Sequence, residues 1–285
     1  MIAVTGATGQ LGRFVINALL QKVPASEIIA AVRSPEKASD LAALGVKVRK
    51  ADYSQPSTLD SAFQGVDKLL LISSSEVGQR VAQHKAVIEA AKRANVKLLA
   101  YTSLLHADKS TLGLGEEHRA TEALLRDSGL PVVLLRNGWY TENYAASIAP
   151  ALAHGAFIGA AGNGRIASAA REDYAQAAAV VLTQDNQAGK IYELAGDDSY
   201  TLAEFSAEIA RQSGKPVIYQ DLSEADFRQA LIGAGLPDAF AGVLADSDAG
   251  AAKGGLFDDS HTLSKLIGRP TTPYARVIAA TLAAQ

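Results

Sequence analysis

The chain has 285 residues, is 48% hydrophobic and 20% charged, and carries a formal net charge of -3. That balance is that of an ordinary globular protein and excludes a general attraction to nucleic acid or to an anionic membrane surface. It contains no cysteine, which excludes disulfides, thiolate metal sites and a cysteine nucleophile, and a reducing compartment fits best. No apolar stretch approaches the ~18–20 residues of a membrane span and no basic, apolar leader precedes the first strand, so a cytoplasmic location is expected.

The first dozen residues read as a short buried strand, a glycine turn and a helix start. Ile2 and Val4 are strand formers, and Leu11, Phe14, Val15 and Leu19 recur at helical spacing. Between them lies Gly6-Ala7-Thr8-Gly9-Gln10-Leu11-Gly12, a glycine turn placed where a dinucleotide enters. Gly6 permits the tight turn, Gly9 lets the backbone approach a pyrophosphate, and Gly12 lets the helix lie close against the strand. The free N–H groups and positive end of the helix then face the phosphates. The Gly-x-x-Gly-x-x-Gly spacing points to the short-chain and extended dehydrogenase lineages. A purely structural glycine turn is the alternative.

The second strand, Glu27 to Arg33, ends on a cation about 20 residues beyond the last glycine, where an NAD-selective site places Asp or Glu against the ribose 2′-OH. A guanidinium there forms charge-assisted hydrogen bonds with a 2′-phosphate, so NADPH is favoured over NADH, with Lys37 as a second cation nearby. An ordinary solvated charge is the competing reading of Arg33. Further apolar bursts follow at Val46–Arg49, Lys68–Ile72, Lys97–Tyr101 and Val132–Leu135. Helix-length segments separate them at Arg13–Gln21, Lys37–Leu44, Ser57–Phe63, Val81–Ala94 and Glu117–Asp127. This alternation predicts an α/β fold, a Rossmann-type doubly wound parallel sheet with a smaller C-terminal α/β substrate lobe. Ligands of such sheets lie at the carboxyl ends of the strands, which carry Arg33, Asp52, Ser73-Ser74-Ser75, Thr102-Ser103 and Asn137-Gly138.

Beyond residue 138 the rhythm changes. Residues 1–138 are expected to form the NADP-binding domain, with a late strand near 190–196 returning to its sheet, and residues 139–285 the smaller substrate lobe. Asp173 is a predicted N-cap for an alanine-rich helix over Tyr174–Leu182. Helices are expected over Ala203–Gln212 and Glu224–Gly233, separated by the strand-like Pro216–Gln220. Ala249–Gly255, rich in small residues, reads as a linking loop. The five histidines, His84, His106, His118, His154 and His261, have no paired spacing, so no protein metal site is expected.

With these residues assembled, the chain resembles the NmrA-like group of atypical short-chain dehydrogenases and is closely similar to its flavin-free NAD(P)H:quinone oxidoreductase members. The marks are Thr5-Gly6-Ala7-Thr8-Gly9-Gln10-Leu11-Gly12, Arg33, Asp52, Ser73-Ser74-Ser75, and Arg136-Asn137-Gly138-Trp139-Tyr140-Thr141-Glu142-Asn143. Asn137 stands where the group usually has proline. The resemblance implies a Rossmann domain with bound NADP(H), held by Gly6 to Gly12, Arg33, Asp52, Ser73 to Ser75 and Asn137 to Glu142, and either reductase activity or redox sensing.

Short-chain dehydrogenases supply a proton to a developing alkoxide from Tyr-x-x-x-Lys, the two side chains one helical turn apart. None of the nine tyrosines is followed four residues later by lysine. Where many NmrA-like reductases have a lone lysine, this chain has His118, protonated only weakly at neutral pH; Ser103 occupies the superfamily serine position. A quinone escapes the requirement, because its ring is strongly electrophilic, its product anion is delocalised and its protons can come from water. The expected function is therefore NADPH-dependent quinone reduction by direct hydride transfer. Trp139, Tyr140, Tyr144 and Phe157 are candidate walls of a flat slot, with Asn143 or His84 as polar contacts, although aromatics near a domain junction are commonly plain core. An NADP(H)-binding redox sensor acting through a protein partner is the alternative. The expected partner is a small-molecule quinone, with no nucleic acid and no membrane span, and a homo-oligomer is left open.

Overall fold

The computed structural model describes residues 1–284. Among the described residues nine strands form: β1 (Ile2–Thr5), β2 (Ile28–Val32), β3 (Lys47–Lys50), β4 (Lys68–Leu71), β5 (Leu98–Leu104), β6 (Val132–Asn137), β7 (Ala156–Gly159), β8 (Ile191–Leu194) and β9 (Ile218–Asp221). Seven make one sheet in the order β3-β2-β1-β4-β5-β6-β8. Its strands run parallel, with Ile2 opposite Ile28 on one side and Lys68 on the other. The fold is the expected α/β, Rossmann-type one. Every residue of β1 and β2 is buried, as the continuous apolar runs of strands covered on both faces require. The edge strand β3 instead carries three cations, Lys47, Arg49 and Lys50, and charge of this kind discourages an open edge from pairing with another chain.

Helices clothe both faces. Helix Gln10–Leu20 buries Leu11, Val15, Ile16 and Leu19 and packs on helix Arg171–Thr183. Each such side chain contributes about 1.5–3 kcal/mol. A further core of Leu59, Phe63, Val66, Val87, Ile88, Leu99 and Tyr101 fills the space between the sheet and the helices Pro56–Ala62 and Arg80–Arg93. The order of strands reverses between β1 and β4, and the glycine turn leaves the carboxyl end of β1 at that switch.

The chain divides into two compact units. The first comprises residues 1–107, 117–137 and 171–192, and the second residues 108–116, 138–170 and 193–285. In the second unit β7 and β9 pair in parallel, Ala156 opposite Ile218. Its core is aromatic: Phe205 lies 5.2–6.0 Å, centroid to centroid, from the rings of Tyr144, Phe157, Tyr200 and Tyr274. Helix Leu202–Ser213 opens on a capping box in which Thr201 and Glu204 satisfy each other's backbone N–H.

Two local expectations are corrected. Asp173 is not an N-cap, since the helix begins at Arg171 and Asp173 lies buried in its first turn, where an acid still suits the helix dipole. The segment predicted as a loop over 249–255 is helical through Ala252, as the end of helix Asp238–Ala252. Its small residues serve close packing, because a Cβ on Gly250 would sit 2.7 Å from Leu112 Cδ1 and one on Gly164 would sit 2.2 Å from the Ala251 carbonyl oxygen.

Candidate cofactor site

The glycine turn has the shape its residues imply. Gly6 adopts φ +59°, a conformation that strains any residue with a side chain. The Gly9 N–H donates to the Gly6 carbonyl at 2.9 Å, and Gly9 is the N-cap of the following helix, with no side chain capping it. A helix N-terminus that no side chain caps has backbone N–H groups to offer an anion. Arg33 follows β2, exposed, and its Nη1 lies 3.1 Å from Glu76 Oε1. Asp52 follows β3 and folds its own turn, its Oδ1 accepting the Ser54 N–H at 2.9 Å.

The Ser73–Ser75 turn after β4 is pinned by β5 and by the helix Arg80–Arg93. Thr102 Oγ1 accepts the Ser73 N–H at 2.8 Å, His84 Nε2 accepts the Ser74 N–H at 2.9 Å, and Arg80 Nε donates to the Ser74 carbonyl at 2.7 Å. Ser74 Oγ donates to Gln83 Oε1 at 2.5 Å. His84 is fully buried, and its other nitrogen meets Thr121 Oγ1 at 2.9 Å. The expectation that His84 touches substrate is therefore corrected: with no exposed surface and both nitrogens bonded, it positions the turn. His118 is likewise buried, with Nδ1 2.7 Å from the Tyr101 hydroxyl and Nε2 3.5 Å from Arg80.

Burial, reinforced by the Arg80 charge, lowers both imidazoles to about 3, and burial raises the Tyr101 phenol. His118 is thus neutral at pH 7, in line with the expectation that it is at most weakly protonated there. These shifts tie stability to pH. Unfolded histidines take up protons through about pH 6.5, whereas the folded pair does so only near 3, so the unfolded state binds more protons in that window and acid destabilises the fold. Asp248, raised by burial to about 6, opposes this, because there the folded state holds the extra proton. Two imidazoles outweigh one carboxyl. Denaturant unfolding at pH 5 is expected to show about 2 kcal/mol less stability than at pH 7, and equal stability at the two pH values would refute the neutral, buried assignment.

At the far side of the sheet, Ser103 Oγ donates to Glu122 Oε1 at 2.6 Å, and Glu122 receives a two-pronged bond from Arg136, Nε to Oε1 at 2.9 Å and Nη2 to Oε2 at 2.7 Å. Ser103 is therefore held by a carboxylate that is itself neutralised, not by a base poised to activate it. Asn137 ends β6 buried, and its Oδ1 has no hydrogen-bond partner among the described residues.

In the second unit, Gly138 donates its N–H to Leu194 at 2.7 Å, and Trp139 is buried. Thr141 is fully buried, with Oγ1 2.8 Å from Ser168 Oγ, which meets the Tyr200 hydroxyl at 2.6 Å. Thr141 is thus engaged internally, which corrects its expected direct contact with cofactor. Tyr144 is buried against Phe157 and Phe205 and donates its hydroxyl to Asp248 at 2.9 Å. This corrects Tyr144 as a substrate contact and Phe157 as a wall; both are core. Tyr140, Glu142 and Asn143 keep partly exposed side chains.

Residues 6–185 match the model of the NAD(P)H-binding family. The chain belongs to that family. Quinone oxidoreductase 2 of Escherichia coli (strain K12) is 64% identical over 278 residues, 98% of this chain and 97% of the relative. An NmrA-like family domain-containing oxidoreductase of Aspergillus flavus is 30% identical over 280 residues, 95% and 91% of the two chains. Among solved structures, an NADPH-dependent quinone oxidoreductase from Escherichia coli complexed with NADPH superposes with TM-score 0.97 at 63% identity, covering 99% of this chain and 100% of that one. The Citrobacter sp. triphenylmethane reductase complexed with NADP(H) superposes with TM-score 0.94 at 41% identity, covering 99% and 100%.

For this NAD(P)H-binding chain, sequence reasoning missed the residues that hold the site rather than line it: Glu76, Arg80, Gln83 and Glu122. Their polarity is plain in the sequence, but nothing local says which turn a long side chain reaches. Among the described residues no group of three or more His, Asp or Glu could hold a metal ion, and no helix is long and apolar enough to cross a membrane.

Proposed function

We propose that the chain is an NADPH-dependent quinone oxidoreductase transferring hydride directly to the quinone. The likeness over nearly the whole chain to an enzyme of that description carries the reading. The residues fit the cofactor. A Cβ on Gly12 would lie 2.3 Å from the Gly6 carbonyl, so the turn exists only without a side chain there, and the N-terminus behind it suits a pyrophosphate. Gly6 to Gly12 would hold the phosphates, Arg33 the 2′-phosphate, and Asp52 and Ser73 to Ser75 the remaining strand-end contacts. Asn137, with its unpartnered buried oxygen, would accept a hydrogen bond from the cofactor, and Gly138 to Tyr140 with Glu142 would complete the contacts. The first unit is the cofactor domain and the second the substrate lobe, with Tyr140 and Asn143, both partly exposed, the substrate contacts.

Bound NADPH supplies the hydride. The chain's task is then to hold and orient the ring, since no Tyr-x-x-x-Lys pair is present and Tyr101, the tyrosine beside His118, is a buried phenol bonded to a neutral imidazole. A delocalised product anion makes that sufficient, with protons drawn from water. The compartment is cytoplasmic on this reading. No finding favours the redox-sensor alternative.

With no cysteine and no second glycine fingerprint for a flavin in its sequence, the chain offers no carrier to store the hydride, so both substrates must occupy one complex. Initial rates over NADPH and quinone concentrations are expected to give intersecting double-reciprocal lines, with one quinol formed per NADPH oxidised. Parallel lines would reject direct transfer. Tight NADPH binding with no turnover across a quinone panel would instead support the sensor.

A further inference from the structure

Arg33 follows β2 and Glu76 follows β4, and these strands flank β1 on opposite sides. Strands in a sheet lie about 4.8 Å apart, so β2 and β4 are about 9–10 Å apart, and the 3.1 Å ion pair crosses over the carboxyl end of β1, where the glycine turn begins. The partner is built in place rather than met by chance. Gln83 Nε2 donates to Glu76 Oε2 at 2.8 Å, the Glu76 N–H donates to Ser74 Oγ at 3.2 Å, and Ser74 Oγ donates to Gln83 Oε1. One carboxylate oxygen is thus anchored to helix Arg80–Arg93 while the other is presented to the guanidinium.

From this geometry we infer that Glu76 is a specificity-determining residue for the cofactor: an anchored carboxylate that competes with the ribose 2′-phosphate for Arg33 and so weakens NADPH selectively. This rests on the placement of NADPH at the glycine turn given above. A guanidinium held by a carboxylate must release it, or share it, to form paired bonds with a phosphate, and two anions drawn to one cation repel each other. The pair is exposed, 71% for Arg33 and 49% for Glu76, so release is cheap and the effect is a tuning of affinity rather than a block. NADH brings no 2′-phosphate and leaves the pair undisturbed.

The test is calorimetric titration of NADPH and NADH into the full chain, its Glu76→Gln and Arg33→Ala variants and the double variant. Glu76→Gln keeps the shape and an amide partner for Gln83. It is expected to tighten NADPH about 3- to 10-fold at low ionic strength, a gain that shrinks at high salt, and to leave NADH within about twofold. Arg33→Ala is expected to weaken NADPH about 10- to 150-fold, and in that background the Glu76→Gln gain should vanish. If Arg33→Ala weakens NADPH but Glu76→Gln leaves it unchanged or weaker, the competition is wrong and the cofactor placement stands. Equal tightening of both nucleotides would also overturn it. If Arg33→Ala itself has no effect, the 2′-phosphate placement fails.

Discussion

Gly12→Ala is expected to abolish measurable NADPH binding, a loss of at least about 100-fold, or about 2.7 kcal/mol. The added Cβ would meet the Gly6 carbonyl oxygen at 2.3 Å and the Ala7 Cα at 2.7 Å. Both obstacles are backbone, so no flexible side chain can swing aside. The helix Gln10–Leu20 must instead lift from the turn, moving the N–H groups proposed to face the phosphates and loosening the packing of Leu11, Val15 and Ile16. Overpacking of this kind costs ~1–3 kcal/mol of stability, so the variant should fold with a lowered Tm and fail to bind, and titration calorimetry beside a thermal melt separates the two effects. Normal NADPH affinity would show that the phosphates lie elsewhere.

Glu122→Ala is expected to be strongly destabilising. It removes the carboxylate paired in two places with Arg136, where the side chains are only 12% and 8% exposed. Truncating one partner of a buried ion pair costs about 3–5 kcal/mol. With Tm moving about 2–4 °C per kcal/mol for chains of 150–250 residues, a drop on the order of 10 °C is expected by calorimetry. A Glu122→Ala variant as stable as the parent would mean that water reaches the guanidinium.

Much of the fold was legible because its signals are local. Apolar bursts alternating with helical spacing mark the parallel sheet, and Gly6, Gly9 and Gly12 mark the entrance, since a backbone conformation or a close approach that excludes Cβ admits only glycine. Less was legible in the second unit. β7 and the helix Tyr274–Ala283 have no strong local pattern, and Ala249–Ala252 looks like a loop by composition yet is helical because Gly250 packs on Leu112. The aromatic candidates divide for the same reason. A sequence shows that Tyr144 and Phe157 are large and flat, but only packing shows them closed around Phe205.

The sequence by itself determined the sheet, the glycine turn, the cation at Arg33 and the absence of a Tyr-x-x-x-Lys pair, because each depends on residue identity and spacing within one or two adjacent elements. Tertiary structure alone decided that His84 and His118 are buried and neutral, that Ser103 is tied to Glu122, and that Glu76 reaches Arg33 across β1. Protonation states and long ion pairs follow from burial and from which strand ends meet, and residues 43 positions apart become neighbours only when the order of strands in the sheet places them so.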